Sequence, residues 1–293
     1  MSALRIRKAV IPAAGYGTRF LPAAKAVPKE MMCVADRPVI QWIVEEALTA
    51  GVDEVVIVTS PRKDAITAHF RPDTALNAAL RAAGRTEALS ELERLDRIGD
   101  RVRFVMQTEQ KGLGHAVLCA AGAVGEEPFL VLLGDALVCG ERPAAVQLVD
   151  AYTERDGGCV IGLEQVPMER VSRYGVVAGT RLSDRLYQLS DLVEKPTAAE
   201  APSDLAIAGR YILTPEVFAA LRQTTPGRGG EIQLTDAIRA VLPHTPVYGL
   251  RYTGRRYDIG NPVGYLEAAQ AFAQRDPRFQ GRLPPPPRTR SLR

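Results

Sequence analysis

Residues 9–32 read AVIPAAGYGTRFLPAAKAVPKEMM. A short apolar run, residues 9–12, enters a turn of small residues, Ala13-Ala14-Gly15-Tyr16-Gly17-Thr18-Arg19. Backbone N–H groups in such a turn can approach an anion closely. Two glycine motifs compete for the stretch and neither fits. A dinucleotide-binding fingerprint needs a third glycine where Phe20 stands, and an unbroken helix that Pro22 and Pro28 forbid. A Walker A loop needs Gly-Lys-Ser/Thr after four residues, and the stretch has none. What is left is a glycine loop followed by Arg19, Lys25 and Lys29 on a proline-stiffened path. That path can wrap a polyphosphate, with backbone donors on one side and cations on the other. Read on its glycines alone, the same stretch could equally be a strand-to-helix turn with solvated cations.

Working outward, residues 9–12, 55–59, 102–106 and 129–133 are apolar runs of the kind found in strands buried on both faces. Between the first two, Val39, Ile40, Ile43, Val44, Ala47 and Leu48 form one helical stripe, with Pro38 expected at the first helical position and Gly51 as the stop. A second crossover helix spans residues 113–124. Strand–helix–strand repeats imply right-handed βαβ units. Residues 72–99 break the beat and read as a peripheral helical insertion divided at Gly84. Further strands are expected at 159–166, 175–177, 186–194 and 206–213, with helices from Pro215, near Glu231 and from Pro262. The fold class is α/β: a Rossmann-like, mostly parallel mixed sheet flanked by helices, with a smaller β subregion. The last residues, GRLPPPPRTRSLR, read as a solvated extended tail from residue 281.

Over 293 residues, 46% are apolar and 24% charged, a globular balance that excludes disorder for most of the chain. With 37 basic and 34 acidic residues, the net charge of +3 argues against a nucleic-acid or membrane-surface binder. No apolar run approaches the ~18–20 residues of a membrane span, and the start, MSALRIRKAV, is charged too early for a signal peptide. The four cysteines, Cys33, Cys119, Cys139 and Cys159, lack metal-ligand spacing and read as small buried apolar residues. The three histidines leave little material for a zinc site. A reducing, cytoplasmic setting is expected.

The glycine loop with Pro28-Lys29-Glu30 is followed in order by Lys111-Gly112-Leu113-Gly114-His115-Ala116, Tyr174-Gly175-Val176-Val177, Val193-Glu194-Lys195-Pro196, GEIQLTD at residues 230–236 and Asp258-Ile259-Gly260-Asn261. In these motifs the chain resembles the sugar-phosphate nucleotidyltransferases over roughly residues 6–275. The resemblance implies one nucleotidyltransferase domain over residues 1–280, its nucleotide-binding part about 6–140 and its sugar-binding part about 141–280. It implies a reaction of a nucleoside triphosphate with a sugar 1-phosphate, giving a nucleotide sugar and pyrophosphate with Mg²⁺. The attacking phosphate oxygen is already ionised, so such a reaction asks for positioning and charge neutralisation rather than a general base.

Asp135 directly follows the run FLVLLG, at the carboxyl edge of the expected sheet, where ligands of open α/β folds bind. A hard carboxylate there suits Mg²⁺, although a turn or helix-capping aspartate is the other reading. The resemblance supplies Asp258 as the second metal carboxylate. It gives Arg19 to the β- and γ-phosphates, Lys29 to the phosphate chain nearer the reacting centre, and Lys195 to the attacking phosphate. By the same resemblance Glu194 and Gly175 face the sugar, although Gly175 on its own reads equally as a β-turn glycine. The resemblance also implies a nucleotide cradle of Ala13, Ala14, Gly15, Gly17, Thr18 and Glu30, with Gln107 and Gly112 reading the base, although Gln107 could also be an ordinary strand-end glutamine. A glutamine amide offers both donor and acceptor and can match the imide edge of uracil or thymine. His115 is assigned to packing or hydrogen bonding behind the site, and Trp42 to the core. UTP and glucose 1-phosphate are the implied substrates, favoured by YGVV, GGEIQLTDAI and the 72–99 insertion. The Leu-Gly-Asp form at residues 133–135 is instead familiar from thymidylyl transfer, so dTTP is the alternative. A silent nucleotide-sugar sensor would show erosion at Arg19, Lys29, Asp135 or Lys195, and none is eroded. A homodimer or homotetramer is expected by resemblance, with neither nucleic acid nor membrane as partner.

Overall fold

The structure, a computed structural model, describes residues 5–279 and residue 282. The tail expected from residue 281 lies outside the described residues apart from Arg282. In chain order, β1 (Lys8–Pro12) leads through three single 3-10 turns to the short hairpin β2 (Cys33–Val34) and β3 (Arg37–Pro38), then α1 (Val39–Thr49). Next come β4 (Glu54–Thr59), α2 (Asp64–His69), α3 (Thr74–Ala82), α4 (Thr86–Gly99) and β5 (Val102–Met106). They are followed by α5 (Leu113–Cys119), α6 (Ala121–Val124), β6 (Phe129–Leu132), β7 (Ala136–Cys139) and α7 (Ala144–Glu154). The chain continues with β8 (Cys159–Gln165), β9 (Gly175–Arg181), β10 (Leu186–Glu194) and β11 (Leu205–Leu213). It closes with α8 (Glu216–Gln223), α9 (Leu234–Val241), β12 (Val247–Arg251), β13 (Arg255–Asp258) and α10 (Pro262–Arg275).

The described residues build a nine-stranded mixed sheet in the order β5-β4-β1-β6-β11-β8-β12-β10-β9. The run β5-β4-β1-β6 is parallel, because helices carry the chain back over the sheet between its strands. Beyond β6 the ladders are antiparallel except β8–β12. There β9 runs into β10 through a short loop that can only reverse direction. Side chains alternate between two cores. Ile11, Ile57 and Leu130 join one with α1 and α7; Val10, Val56, Val58, Phe129 and Val131 join the other with α5, α8 and α9.

Strands β1, β4 and β6 are buried as expected, but β5 is not: Arg103 and Met106 are exposed because β5 is the sheet's edge. Helix α1 begins at Val39; Pro38 is extended, pairs in β3 and caps the helix instead of opening it. The 72–99 insertion is two helices, α3 and α4, with no buried residue on either, separated at Gly84, which has φ +65°. The helix expected near Glu231 starts at Leu234. Of the cysteines only Cys159 is buried, and Cys33 is exposed. Trp42 is half-buried, its indole N–H donating to Val34 O (3.0 Å) while the Arg37 guanidinium lies over its ring. Among the described residues, no helix is long and apolar enough to cross a membrane.

Two strands unremarked in the sequence, β7 and β13, pair antiparallel outside the main sheet and set Asp258 opposite Ala136. The Ile259 N–H also donates to Asp135 O (2.9 Å). Beneath them Arg210 on β11 is fully buried and forks onto Glu46 of α1 (2.9 and 2.7 Å), with further bonds to Ala136 O (2.8 Å) and Gly209 O (3.0 Å). The main sheet and the small ladder are thereby clamped together immediately behind Asp135.

Candidate active site

Two hollows, of about 490 and 750 Å³, open at the carboxyl ends of β1 and β6 and share Arg19, Leu133 and Asp135. The first is walled by Ala14, Gly15, Gly17, Thr18, Lys29 and Glu30 on one side and by Gln107 and Gly112 on the other. A hollow of about 800 Å³ near α1, α4 and α10 contains none of the residues expected to act. Pro22 and Pro28 break what would otherwise be a helix after β1, so the loop steps through 3-10 turns at Thr18–Phe20, Ala23–Lys25 and Lys29–Met31. Gly17 turns the chain into the first of these with φ +68°, a conformation that favours glycine. Ala13 does not reach the wall. Its N–H donates to Val58 O (2.8 Å) and its carbonyl accepts from Lys63 Nζ (2.6 Å), so it supports the loop from below. Lys25 is exposed and lines neither hollow.

Lys29 Nζ donates to Asp135 Oδ2 at 2.6 Å. Burial alone would lower the Lys29 ammonium, but Asp135 and Glu30 carry it above the ordinary lysine value. Burial would likewise lift the Asp135 carboxyl; Lys29 foremost, with Arg19 and Arg256, outweighs this and holds it below the usual carboxylate range. Behind them Lys63, missed in the sequence, donates to Glu30 Oε2 at 2.8 Å. Both members of this pair are buried; burial pulls the lysine down and pushes the glutamate up. Glu30 thus lines the first hollow with its carboxylate held from behind by Lys63.

The two carboxylates expected to hold a metal do converge. Arg19 Nη1 stands 3.7 Å from Asp258 Oδ2, and the Gly260 N–H donates to Asp258 Oδ1 (2.9 Å). A Cβ on Gly260 would lie 2.9 Å from Asp258 Oδ1, 2.9 Å from Arg19 Nη2 and 3.2 Å from Asp135 Oδ2, so glycine there keeps the space between the carboxylates open. Gly134 lets the turn after β6 pack closely against the end of β1, since a Cβ there would meet Pro12 O at 2.7 Å. Among the described residues, no group of three or more His, Cys, Asp or Glu side chains could hold a metal ion. Two hard carboxylates fit a Mg²⁺ ion that takes its other ligands from water and phosphate.

The end of the first hollow near Gln107 and Gly112 is built by two loops pinned to each other. Gly114 N–H donates to Ile232 O and Ile232 N–H to Lys111 O, both at 2.8 Å. Gly112 has φ +93°, and a Cβ there would sit 2.6 Å from Glu231 Cβ. Gln107, at the end of β5, is buried; its Nε2 lies 3.3 Å from Gly112 O and 2.9 Å from His115 Nδ1.

The second hollow is lined by Lys195, Arg173, Tyr174, Arg256 and Asp258. Lys195 leaves β10 with φ +46°, a strained conformation for a lysine, held by its N–H bond to Tyr174 O (2.9 Å). Its Nζ stands 3.2 Å from Glu194 Oε1. Glu194 pairs with Gly175 across the β10–β9 ladder and accepts from Thr235 Oγ1 at 2.6 Å. A Cβ on Gly175 would meet Ile207, Thr235 and Glu194, so glycine there lets Glu194 and Thr235 meet. Glu194 and Gly175 therefore stand behind Lys195 and outside the wall itself. Sequence reasoning overlooked Arg173 and Arg256. Arg256 Nε is bound to Glu164 Oε1 (2.8 Å) with its guanidinium over Tyr174. Both stand in the lining of the second hollow beside Lys195.

Comparisons with known proteins give the chain its family. The family described as nucleotidyl transferase matches residues 8–275. UTP–glucose-1-phosphate uridylyltransferase of Bacillus subtilis (strain 168) is 45% identical over 281 residues, 96% of each chain. A UDP-glucose pyrophosphorylase solved in complex with UDP-glucose superposes with a TM-score of 0.82 at 38% identity, covering 93% of this chain and 100% of that one. A UTP-bound UGPase from Acinetobacter baumannii gives 0.87 at 36% identity, covering 94% and 96%. Nearly the whole length is matched, from the glycine loop through α10, and the chain belongs to the nucleotidyl transferase family.

Proposed function

We propose that this protein transfers the uridylyl group of UTP to glucose 1-phosphate, giving UDP-glucose and pyrophosphate. The observation that carries the reading is the meeting of Asp135, Asp258, Lys29 and Arg19 at the join between a base-reading hollow and a cation-lined one. The names of the relatives at 45% identity favour UTP over dTTP despite the Leu-Gly-Asp form.

In this reading the nucleotide lies along the glycine loop with its base at Gln107 and Gly112. Arg19 neutralises the β- and γ-phosphates, and Lys29 the chain nearer the α-phosphorus. Lys195, with Arg173 and Arg256 nearby, draws in the sugar phosphate. An oxygen of that phosphate bonds to the α-phosphorus as the bond to the bridging oxygen of the β-phosphate breaks, and pyrophosphate leaves with the electron pair. No proton has to move. The chain's part is to hold two anions in line and offset their repulsion. Asp135 and Asp258 would hold Mg²⁺, which when bound supplies further positive charge at the α-phosphate. The expected self-association as a homodimer or homotetramer, the single domain over residues 1–280 and a cytoplasmic setting belong to the same proposal. The homo-oligomer is checked by sedimentation equilibrium.

Pyrophosphate release is to be measured with each common nucleoside triphosphate against glucose, galactose and mannose 1-phosphates. UTP with glucose 1-phosphate should give the highest kcat/KM, and activity should vanish on chelation and return with Mg²⁺. A higher value with dTTP, or no release from UTP, overturns the reading.

A further inference from the structure

Gln107 is the buried amide on the wall of the nucleotide hollow, and His115 is a neighbour that the mechanism above does not use. A glutamine amide is two-faced: turning its last torsion by half a revolution exchanges donor for acceptor. It can read a base only if something fixes it. Two groups face Gln107 Nε2, namely Gly112 O at 3.3 Å and His115 Nδ1 at 2.9 Å. A carbonyl can only accept, so the end facing Gly112 is the NH₂. Its other hydrogen then points at His115 Nδ1, which must be the unprotonated ring nitrogen. The ring hydrogen sits on Nε2, facing Cys119 Sγ at 3.9 Å one turn along α5, a weak acceptor that tolerates this tautomer. Among the described residues, no protein donor reaches Gln107 Oε1. The amide thus shows the hollow an acceptor.

A fixed acceptor pairs with the N3–H of a uracil imide and repels the N3 lone pair of cytosine. Resting on the uridylyl-transfer reading, we propose that His115 is a positioning residue that sets base selectivity. It holds the Gln107 amide with Oε1 toward the base, so that UTP is accepted and CTP refused. The Gly112 carbonyl, at the longer distance, holds the amide less firmly without it.

The test is steady-state kinetics of the full-length protein with UTP and with CTP, glucose 1-phosphate saturating, for wild type, His115→Phe and His115→Asn. The phenylalanine keeps the ring volume and removes the acceptor. It should raise KM for UTP about tenfold, leave kcat within about threefold, and narrow the UTP:CTP ratio of kcat/KM by about 10–10²-fold, the range seen when a buried polar match is lost. Asparagine can place Oδ1 where Nδ1 stood and should restore the ratio to within about threefold of wild type. An unchanged ratio in His115→Phe overturns the proposal. So does an equal loss in both variants with KM for glucose 1-phosphate rising in step, the mark of a packing defect. Should His115→Phe fail to fold, the ¹⁵N spectrum of the wild-type histidines decides: an unprotonated His115 Nδ1 in the neutral ring supports the proposal, and a protonated Nδ1 overturns it. Wild-type enzyme that turns over neither nucleotide refutes the uridylyl-transfer reading, and this proposal with it. Wild-type preference for UTP that survives in His115→Phe refutes this proposal alone.

Discussion

Lys29 and Asp135 lie 2.6 Å apart and neither is more than about a quarter exposed, so each keeps the other charged in the site proposed to receive the triphosphate and the sugar phosphate. Asp135→Ala should abolish metal-dependent pyrophosphate release while the thermal midpoint stays near wild type, since the site is open on one side. Substantial release from that variant would refute the metal role. Lys195→Ala should lower kcat by about 10²–10³, as when one fixed charge stabiliser is removed. A change confined to KM for UTP would instead remove Lys195 from the reacting centre. Arg210 and Glu46 belong to a different class, because they touch no hollow at the site and Arg210 is wholly buried. Glu46→Gln should cost about 3–5 kcal/mol of stability by leaving a buried guanidinium uncompensated, read by urea unfolding. Arg19, Lys29, Asp135 and Lys195 could be picked out in the sequence because their neighbours are diagnostic. Lys63, Arg173, Arg210 and Arg256 could not: each is one cation among 37 basic residues, and only long-range packing gives Lys63, Arg210 and Arg256 their partners and brings Arg173 to the second hollow.

At the scale of elements, the site is made where connections end. The β1 loop, the turn after β6, the end of β13 and the start of α5 meet because β6 lies beside β1 and β13 lies beside β7. The loop before α5 is the most sharply constrained. Gly112→Ala would place a methyl 2.6 Å from Glu231 Cβ in a backbone conformation that alanine resists. It should raise KM for UTP about tenfold or more through the displaced Gln107, with KM for glucose 1-phosphate less affected. Equal effects on both would show a general collapse of the pinned loops at 111–114 and 230–234. The helices α1, α3, α4 and α10 were legible from stripes and punctuation. Strands β7 and β13 were not: β7 is four apolar residues (ALVC) and β13 four mostly charged ones (RRYD), so neither carries the alternation that marks a strand.

Over the whole molecule, one sheet with a core on each face positions both halves of the site. Its stability should depend on pH through His69, whose imidazole burial holds below its ordinary value of about 6.5, with Glu45 pulling weakly the other way. Its Nε2 lies 3.0 Å from Gln41 Oε1 and donates there. Above the ordinary value neither folded nor unfolded chain is protonated at this group and it contributes nothing. As pH falls through that value the unfolded chain takes up the proton first, so stability is lost with falling pH until the folded imidazole also titrates. Thermal midpoints between about pH 7.5 and 5.5 should therefore fall more steeply for wild type than for His69→Gln. Parallel slopes would exclude His69 as the source.

Composition, alternation and punctuation by Gly and Pro were enough to establish an α/β chain, the parallel half of its sheet and a proline-broken glycine loop, because those signals are local and repeat within a few residues; the ordered motifs, through their resemblance to a family, pointed to the main charged residues. The direction of the second half of the sheet, the edge position of β5, the convergence of Asp135 with Asp258, and the bonds of Lys63, Arg210 and His115 were decided by the tertiary structure alone. Each depends on segments tens to more than a hundred residues apart, or on which face of a turn a side chain takes, and a linear pattern carries no information about which distant partner will complete a buried charge or amide.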